Sequence, residues 1–533
     1  MHGLVVGLAR DDPRLAGQAG GAPAATDGEA GGGDGGSGGG RKGGGKSAGD
    51  WTRLLDGADI EFWRNPLGSF FVSVPRQLAH EPEPGHVEHL PVDGQDFTHW
   101  LVTRARGASQ GPLGSDALET LRRDARARAW ARFPEGVHES WRRVGRGADG
   151  AVYLDLGCAS WRAVRITADG WSVVDRPACK FVRPAYAGTL PEPEGGGDLQ
   201  ALRALLRCES EGDMVRAALW PLGCLRPEGG KPVLVVTGPS DSGKSYACRL
   251  LARLIDPSAV VERTLPAEMR DLMISASATY TLVYDNVSEL PLWLSDAFAK
   301  LATGAGLAVR RLHSDRDEEV FSVVAPVALN GITEFVTQPD LASRALAVAI
   351  RPFQPGETKR DEEEIEALFQ RHHAELLGAL LDAAVEGMKR FDETPTPEGA
   401  RPPGFARFAV AAEDALGFGD GMVLAALRQG REDQAAQLLE DHPAIEAVRK
   451  WFETWRDESW TGPAAELLGL IEGHASDAIR RSKKWPQQPN ALSATLKRYV
   501  RPLGAIGIGV ETMTVGAGAA KRRAIRLIRR AVV

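Results

Sequence analysis

The chain has 533 residues, 43% of them apolar and 25% charged, proportions that exclude a wholly disordered or membrane-embedded chain. Its net charge of -7, from 64 basic and 71 acidic residues, does not by itself mark a nucleic-acid binder. The charge is unevenly spread, however, with thirteen Lys or Arg and one acid, Glu511, in residues 480–533, and a basic end on an acidic chain reads as a separate element for polyanions.

At about 150 residues per domain the length predicts three to four domains. The opening apolar run, residues 4–9, is too short for a signal-peptide core and meets Arg10, Asp11 and Asp12 at once, so the expected compartment is the cytoplasm, with no membrane span. The five cysteines, Cys158, Cys179, Cys208, Cys224 and Cys248, are widely spaced and have no His partner at ligand spacing. They read as reduced thiols in cores rather than as a disulfide frame or a zinc site.

Residues 1–50 are dominated by glycine and read as a flexible tether, because such a chain buries too little apolar surface to offset its ordering entropy. Within them Gly40-Arg-Lys-Gly-Gly-Gly45-Lys46-Ser47 satisfies the phosphate-loop pattern G-x-x-x-x-G-K-S. No apolar strand precedes it and no helical pattern follows, so nothing would aim its amides at a phosphate. Residues 51–197 alternate short apolar runs with turns and include one helical stretch, residues 115–132, with Leu118, Leu121, Ala125 and Ala129 at helical spacing. This is the pattern of an accessory α/β domain. Pro191-Glu-Pro-Glu-Gly-Gly-Gly197 marks its boundary.

A core block follows over residues 198–355, then a helical block over 356–440. Residues 441–533 close the chain. There, helical segments near 464–471 and 491–500 precede two strand-like pieces, residues 506–510 and 524–528, which is the order of a winged helix.

The second phosphate-loop match is Gly238-Pro239-Ser240-Asp241-Ser242-Gly243-Lys244-Ser245, with Tyr246 continuing the binding segment. Here an apolar strand, Pro232-Val-Leu-Val-Val236, feeds the loop, and a helix-compatible run with Leu250, Leu251 and Leu254 follows. Glycines let successive N–H groups turn toward a β-phosphate, and the helix start adds its partial positive charge. In that setting Lys244 would reach the β- and γ-phosphates of ATP and Ser245 would ligate Mg²⁺. A second metal carboxylate is needed at a neighbouring strand end. The apolar run Thr279-Tyr-Thr-Leu-Val-Tyr284 supplies Asp285, followed by Asn286.

The run 322–330 ends in Asn330, an amide able to hold a water or sense the γ-phosphate. Arg344, in Asp340-Leu-Ala-Ser-Arg344, reads either as a finger for a neighbour's nucleotide or as a solvated surface arginine. Between the two strands lie Lys300, Arg310, Arg311 and His313, on a hairpin facing DNA phosphates or on an ordinary solvated loop. In the terminal unit, Lys497 and Arg498 sit on the helix offered to DNA, and Lys521, Arg522 and Arg523 near the wing.

In this order the motifs 238–245, Tyr284-Asp285-Asn286, Leu294-Ser-Asp-Ala, Leu301-Ala-Thr-Gly304, Ala328-Leu-Asn-Gly331 and 340–344 resemble superfamily 3 helicases of the AAA+ class. The likeness is to ATP-binding proteins of phages and integrative elements, related to poxvirus-type primase-helicases. Tyr153-Leu-Asp-Leu-Gly157, Gly170-Trp171 and Arg183-Pro extend it to the helicase-associated N-terminal domain, and Trp460-Thr-Gly and Leu492-Ser-Ala-Thr-Leu-Lys497 to the C-terminal region.

The resemblance implies an α/β fold: a P-loop AAA+ core with an N-terminal α/β accessory domain, a helical segment and a winged-helix-like end. It also implies a hexameric ring acting on single-stranded or forked DNA in replication of a mobile element. Two departures stand out: Asn286 occupies the place where many relatives have a second acid, with Glu289 as a substitute, and a glycine tether replaces the primase domain of larger relatives. Asn286 keeps a second reading open, a nucleotide-gated DNA-binding regulator with little turnover. A small-molecule kinase is a third, against which Arg344 and the basic tail count.

Overall fold

The computed structural model describes residues 51–76, 85–108, 112–304, 307–310, 318–321, 325–332, 335–357, 359–440, 442–482, 484–515 and 522–530. Residues 1–50 with their loop match, and Arg311, His313 and Lys521, lie outside the described residues.

The chain first forms a three-stranded antiparallel sheet, β1 (Glu61–Arg64), β2 (Phe70–Arg76) and β3 (His86–Pro91), covered by α1 (Gln95–Gly107) and α2 (Ser115–Ala131). Of the apolar positions expected at helical spacing on α2, Leu121, Ala125 and Ala129 are buried with Phe62, Val72, Val74, Phe97 and Leu101, and Leu118 is half-buried against them. A four-stranded antiparallel meander follows: β4 (Val144–Arg146), β5 (Val152–Asp155), β6 (Ala163–Thr167) and β7 (Gly170–Val174).

After α3 (Glu211–Cys224) comes the central sheet, built from β8 (Val233–Thr237), β9 (Glu262–Arg263), β10 (Leu282–Tyr284), β13 (Val327–Gly331) and β14 (Ala345–Ala349). Its strand order is β14-β8-β13-β10-β9 and all pairings are parallel. Parallel neighbours need crossovers, and helices α4 (Lys244–Arg253), α5 (Met269–Ala278), α6 (Leu292–Thr303) and α7 (Pro339–Ala342) supply them. The strands β11 (Leu307–Arg310) and β12 (Glu318–Phe321) form the expected hairpin. Lys300 is not on it: it is an exposed residue of α6, because the helical run of apolar Leu294, Phe298 and Leu301 carries the chain as helix to Thr303. The strand expected over 322–330 also begins later, at Val327.

Alternation along β8 assigns the two faces of this sheet. Leu234 and Val236 join a core with Leu250, Leu251, Leu377, Leu380 and the meander residues Leu154, Val164 and Ile166. Val233 and Val235 face the opposite way, into a core shared with Leu272, Phe298, Trp451, Leu467 and Leu527. A fully buried strand needs apolar residues on both faces, which is why β8 reads as one continuous run. The segment 191–197 therefore joins parts of one core, since meander and central sheet pack together.

The helical block holds α8 (Glu362–Lys389), α9 (Pro403–Ala411), α10 (Glu413–Leu416) and α11 (Met422–Glu440). His373 on α8 is buried against Phe369, 4.6 Å between ring centres, and burial draws its pKa down to about 4, so it is a core residue. The chain ends with α12 (Pro443–Thr454), β15 (Ser459–Gly462), α13 (Ala464–Glu472), α14 (Asp477–Arg480), α15 (Pro489–Arg498), α16 (Val500–Ala505), β16 (Ile508–Val515) and β17 (Arg522–Arg529). The helix expected over 491–500 is α15, which stops at Arg498. The two expected strands pair as β16 and β17, and the short β15 completes an antiparallel sheet of order β15-β17-β16.

One buried ion pair welds the meander to the central sheet. Arg143, 2% exposed, donates from Nε to Asp256 Oδ1 at 2.9 Å and from its other nitrogens to the carbonyls of Asp155, Gly188 and Pro257. The second oxygen of Asp256 accepts from the Thr281 backbone N–H and hydroxyl, both at 3.0 Å. Removing one partner of such a pair leaves the other charge buried and uncompensated. Arg143→Ala should therefore lower unfolding stability by about 3–5 kcal/mol, read by denaturant titration; a loss under 1 kcal/mol would mean that water replaces the guanidinium.

Candidate functional site

The loop between β8 and α4 is shaped by its backbone before any side chain acts. Gly238 has φ 154°, Asp241 φ 59° and Gly243 φ 91°, so the chain curls three times within six residues. Glycine is required at the first of these places, because a Cβ on Gly238 would lie 2.4 Å from the carbonyl oxygen of Ile350. The curl presents the first amides of α4, whose N-cap is Gly243, to whatever lies above the sheet edge. Arg207 braces the loop from behind by donating to the Ser242 carbonyl. Its guanidinium also stacks on Phe353, 3.3 Å from the ring centre.

Lys244 is nearly buried, and its ammonium donates to the Pro239 carbonyl at 2.5 Å. Burial lowers its pKa, and the nearby carboxylates of Asp241 and Asp285 oppose that shift. Asp285 is thus close enough for its charge to be felt at Lys244. The parallel register explains why. Leu329 pairs with both Tyr284 and Val235, and Asn330 with Val236, so Asp285, one residue past Tyr284, stands level with Asn330. The Asn286 N–H donates to Asn330 Oδ1 at 3.3 Å, and the Val287 N–H to the Asn330 carbonyl at 2.7 Å. Asn286 adopts φ 54° as the chain turns away.

Three polar side-chain atoms at this edge are buried without a hydrogen-bond partner among the described residues, Ser242 Oγ, Asp285 Oδ1 and Asn330 Nδ2, while Glu262 Oε1, also without a hydrogen bond, pairs with Arg249 Nε at 3.5 Å. Orphaned buried polar groups cost about 1–3 kcal/mol each, and a set gathered at one place fits a polar ligand there. Their chemistry, one ammonium, two hydroxyls counting Ser245, carboxylates and an amide, suits a triphosphate with a hard divalent cation.

Glu262 was not legible from the sequence. It lies on β9, beside β10 and level with Val283. Burial raises its pKa, the Arg249 guanidinium opposes this, and the Asp285 charge raises it further. Glu289, the substitute expected from the sequence, is exposed. The only sequence signal for Glu262 is an acid in a short strand, Val261-Glu262-Arg263, and nothing in that pattern names its neighbour.

A cleft of about 1090 Å³ is lined by Arg207, the residue that braces the loop, and by Cys208, Phe353 and Arg360 among others, but by no residue of the loop itself. Arg344 lies elsewhere. It precedes β14, whose far end Ala349 is level with Thr237, so about 16 Å of strand separates it from the loop. Its guanidinium pairs with Asp340. Burial, then the charges of Arg501 and Arg344, lower the pKa of Arg401, which gathers these three arginines on one surface. Lys497 and Arg498 are exposed on α15, and Arg522 and Arg523 are exposed on β17 opposite Val515 and Thr514. Among the described residues none of these four has an ion pair. Arg310 closes β11, paired with Glu318 in the backbone register.

Residues 199–436 match the family model described as actinomycete integrative conjugative element replication protein, and residues 444–532 match the RepA C-terminal domain of the same elements. The chain carries the domains of a mobile-element replication protein. The matches span the central sheet, the helical block and the terminal sheet. Among solved structures, an A-form apo structure of the NrS-1 C-terminal region is similar at 11% identity, covering 90% of this chain and 99% of that one with TM-score 0.40. A second apo structure of that region has 11% identity, covers 90% and 98%, and has TM-score 0.36. No curated protein matches the chain. No helix among the described residues is long and apolar enough to cross a membrane.

Gly238→Ala tests the loop geometry without any ligand. The added methyl must displace the Ile350 carbonyl, at a cost of about 1–3 kcal/mol, so the thermal midpoint should fall; an unchanged midpoint would show that the loop has room to relax.

Proposed function

We propose that this replication protein is an ATP-driven motor on DNA, a superfamily 3-like helicase or translocase with a P-loop core. The observation that carries the reading is the common edge of β8, β10 and β13, where Lys244, Ser245, Asp285 and Asn330 converge. Lys244 would leave the Pro239 carbonyl for the β- and γ-phosphates, the loop amides would hold the β-phosphate, and Ser245 with Asp285 would hold Mg²⁺. The metal supplies charge neutralisation on the phosphates when bound. Asn330 Nδ2 would orient the attacking water. Glu262, with its raised pKa, would accept the water's proton in place of the acid that Asn286 lacks. The cleft beside Phe353 and Arg207 has the size and the mixed lining for base and ribose.

Arg344, Arg401 and Arg501 stand too far from their own loop and would face a neighbour's γ-phosphate in a ring, read as a hexamer from the family resemblance. The terminal unit has the helix and ribbon order of a winged helix, and Lys497, Arg498, Arg522 and Arg523, which have no ion pair among the described residues, would bind duplex or forked DNA. The alternative, a nucleotide-gated regulator, rests on Asn286.

Steady-state ATP hydrolysis with and without single-stranded DNA separates the two. The motor predicts DNA-stimulated turnover that Lys244→Ala abolishes and that Glu262→Gln lowers at least a hundredfold while ATP still binds. Binding without turnover in the native chain favours the regulator, and full activity of Lys244→Ala overturns the site. Separately, Arg522→Ala with Arg523→Ala should weaken duplex binding at all sequences and reduce the salt slope by about 1 per lost phosphate contact; an unchanged slope moves the DNA contact elsewhere.

A further inference from the structure

The N-terminal sheet presents a feature that neither the nucleotide edge nor the basic end explains. Arg64 closes β1, and its backbone is paired with the chain after α2: the Arg64 N–H donates to the Gly136 carbonyl at 2.9 Å, and the His138 N–H to the Arg64 carbonyl at 3.0 Å. That pairing draws the end of α2 and the following turn over the strand. As a result the Arg64 guanidinium carbon lies 4.5 Å from the Trp130 ring centre and 5.1 Å from the Phe133 ring centre.

Both rings are left open to solvent, Trp130 at 62% and Phe133 at 63%, more than any other large apolar side chain among the described residues. Scattered apolar side chains on a surface need no explanation, but two aromatic rings held against one arginine are not scattered. The arginine is also uncommitted. Among the described residues its side chain has no ion pair or hydrogen bond, so its five N–H donors remain available. Beside Phe133, Arg132 has a side chain 46% exposed and, among the described residues, reaches a carboxylate only at Glu61, 4.0 Å away. Glu61 is already engaged by Lys180 and His138.

A fitting ligand has flat π faces alternating with negative charge. Single-stranded nucleic acid has that repeat, and aromatic rings with an arginine are what its bases stack on. A duplex does not fit, because its base faces are stacked on one another. Attraction to phosphate alone would be weak at this place, since the acid Glu135 shares the turn, so base faces have to carry the binding.

We propose that Trp130, Phe133 and Arg64 form a stacking platform for single-stranded DNA, distinct from the basic terminal sheet and independent of any nucleotide site. It extends the DNA-binding part of the reading above.

The test uses the full chain and two labelled oligonucleotides of equal length, one of thymidines and one in which abasic units keep the phosphates and remove the bases. Affinity is read by fluorescence anisotropy. The native protein should prefer the thymidine strand by about tenfold or more. The double variant Trp130→Ala, Phe133→Ala should erase that preference and leave abasic affinity unchanged, while Trp130→Tyr with Phe133→Tyr restores it.

Arg522→Ala with Arg523→Ala should leave the base preference intact whatever it does to duplex binding, so failure of the terminal DNA contact and failure of the platform read out separately. A base preference that survives the alanine pair overturns the platform, as does an equal loss on both strands. A fall in oligomer mass with unchanged DNA binding overturns it too, and assigns the rings to a contact between subunits.

Discussion

The edge that carries the loop 238–243 depends on β8 being paired in parallel on both sides, to β13 and to β14. Parallel pairing sends all strand ends of one sense to the same edge, and there the loop 238–243, Asp285 and Asn330 meet. One residue of slip in either ladder would turn the apolar set of a strand to the wrong face. The register is protected because both faces of β8 are buried, Leu234 and Val236 in one core and Val233 and Val235 in the other. The site is therefore as well defined as the packing beneath it.

The two cores also divide the work of holding the remaining domains. The meander joins the first through its own strands and through Arg143, whose partner Asp256 lies just past α4 and also holds Thr281, ahead of β10. One buried charge pair thus ties the meander to the helix that follows the loop and to the strand that delivers Asp285. Buried pairs of this kind seldom add stability over an apolar core, but losing one partner is costly because the other charge stays buried. The second core continues into Trp451, Trp460 and the terminal sheet, so the basic end rests on the opposite face of the same central sheet.

Around the edge, buried polar atoms without a hydrogen bond lie close together, while others, such as Trp220 Nε1, Arg226 Nη1 and Ser482 Oγ, are scattered through the described residues. Arg143, Asp256, Asp155 and Asp213 are buried and fully engaged. Ser242, Asp285 and Asn330 each keep a buried atom without a hydrogen-bond partner, and Glu262 Oε1 has only the Arg249 guanidinium, 3.5 Å away, among the described residues. Ser242 Oγ, Asp285 Oδ1 and Asn330 Nδ2 stand out among such atoms because they lie together at strand ends over a curled loop, a grouping that fits a polar ligand.

Several features were readable in the sequence alone. The loop 238–245, its strand, its helix and the two carboxyl-side residues Asp285 and Asn330 are local patterns, and a run of apolar residues between a turn and a glycine loop has few other solutions. The α2 helix and the terminal helix and strand order are local in the same sense. Tertiary structure alone decided that Glu262 neighbours Asp285, that Lys300 belongs to a helix rather than the hairpin, that β15 completes the terminal sheet, and that Trp130 and Phe133 close on Arg64. Each is a contact between segments far apart in the chain or a competition between two local propensities. Spacing along a sequence carries the period of a strand or helix, but it carries no information on which strand lies beside it.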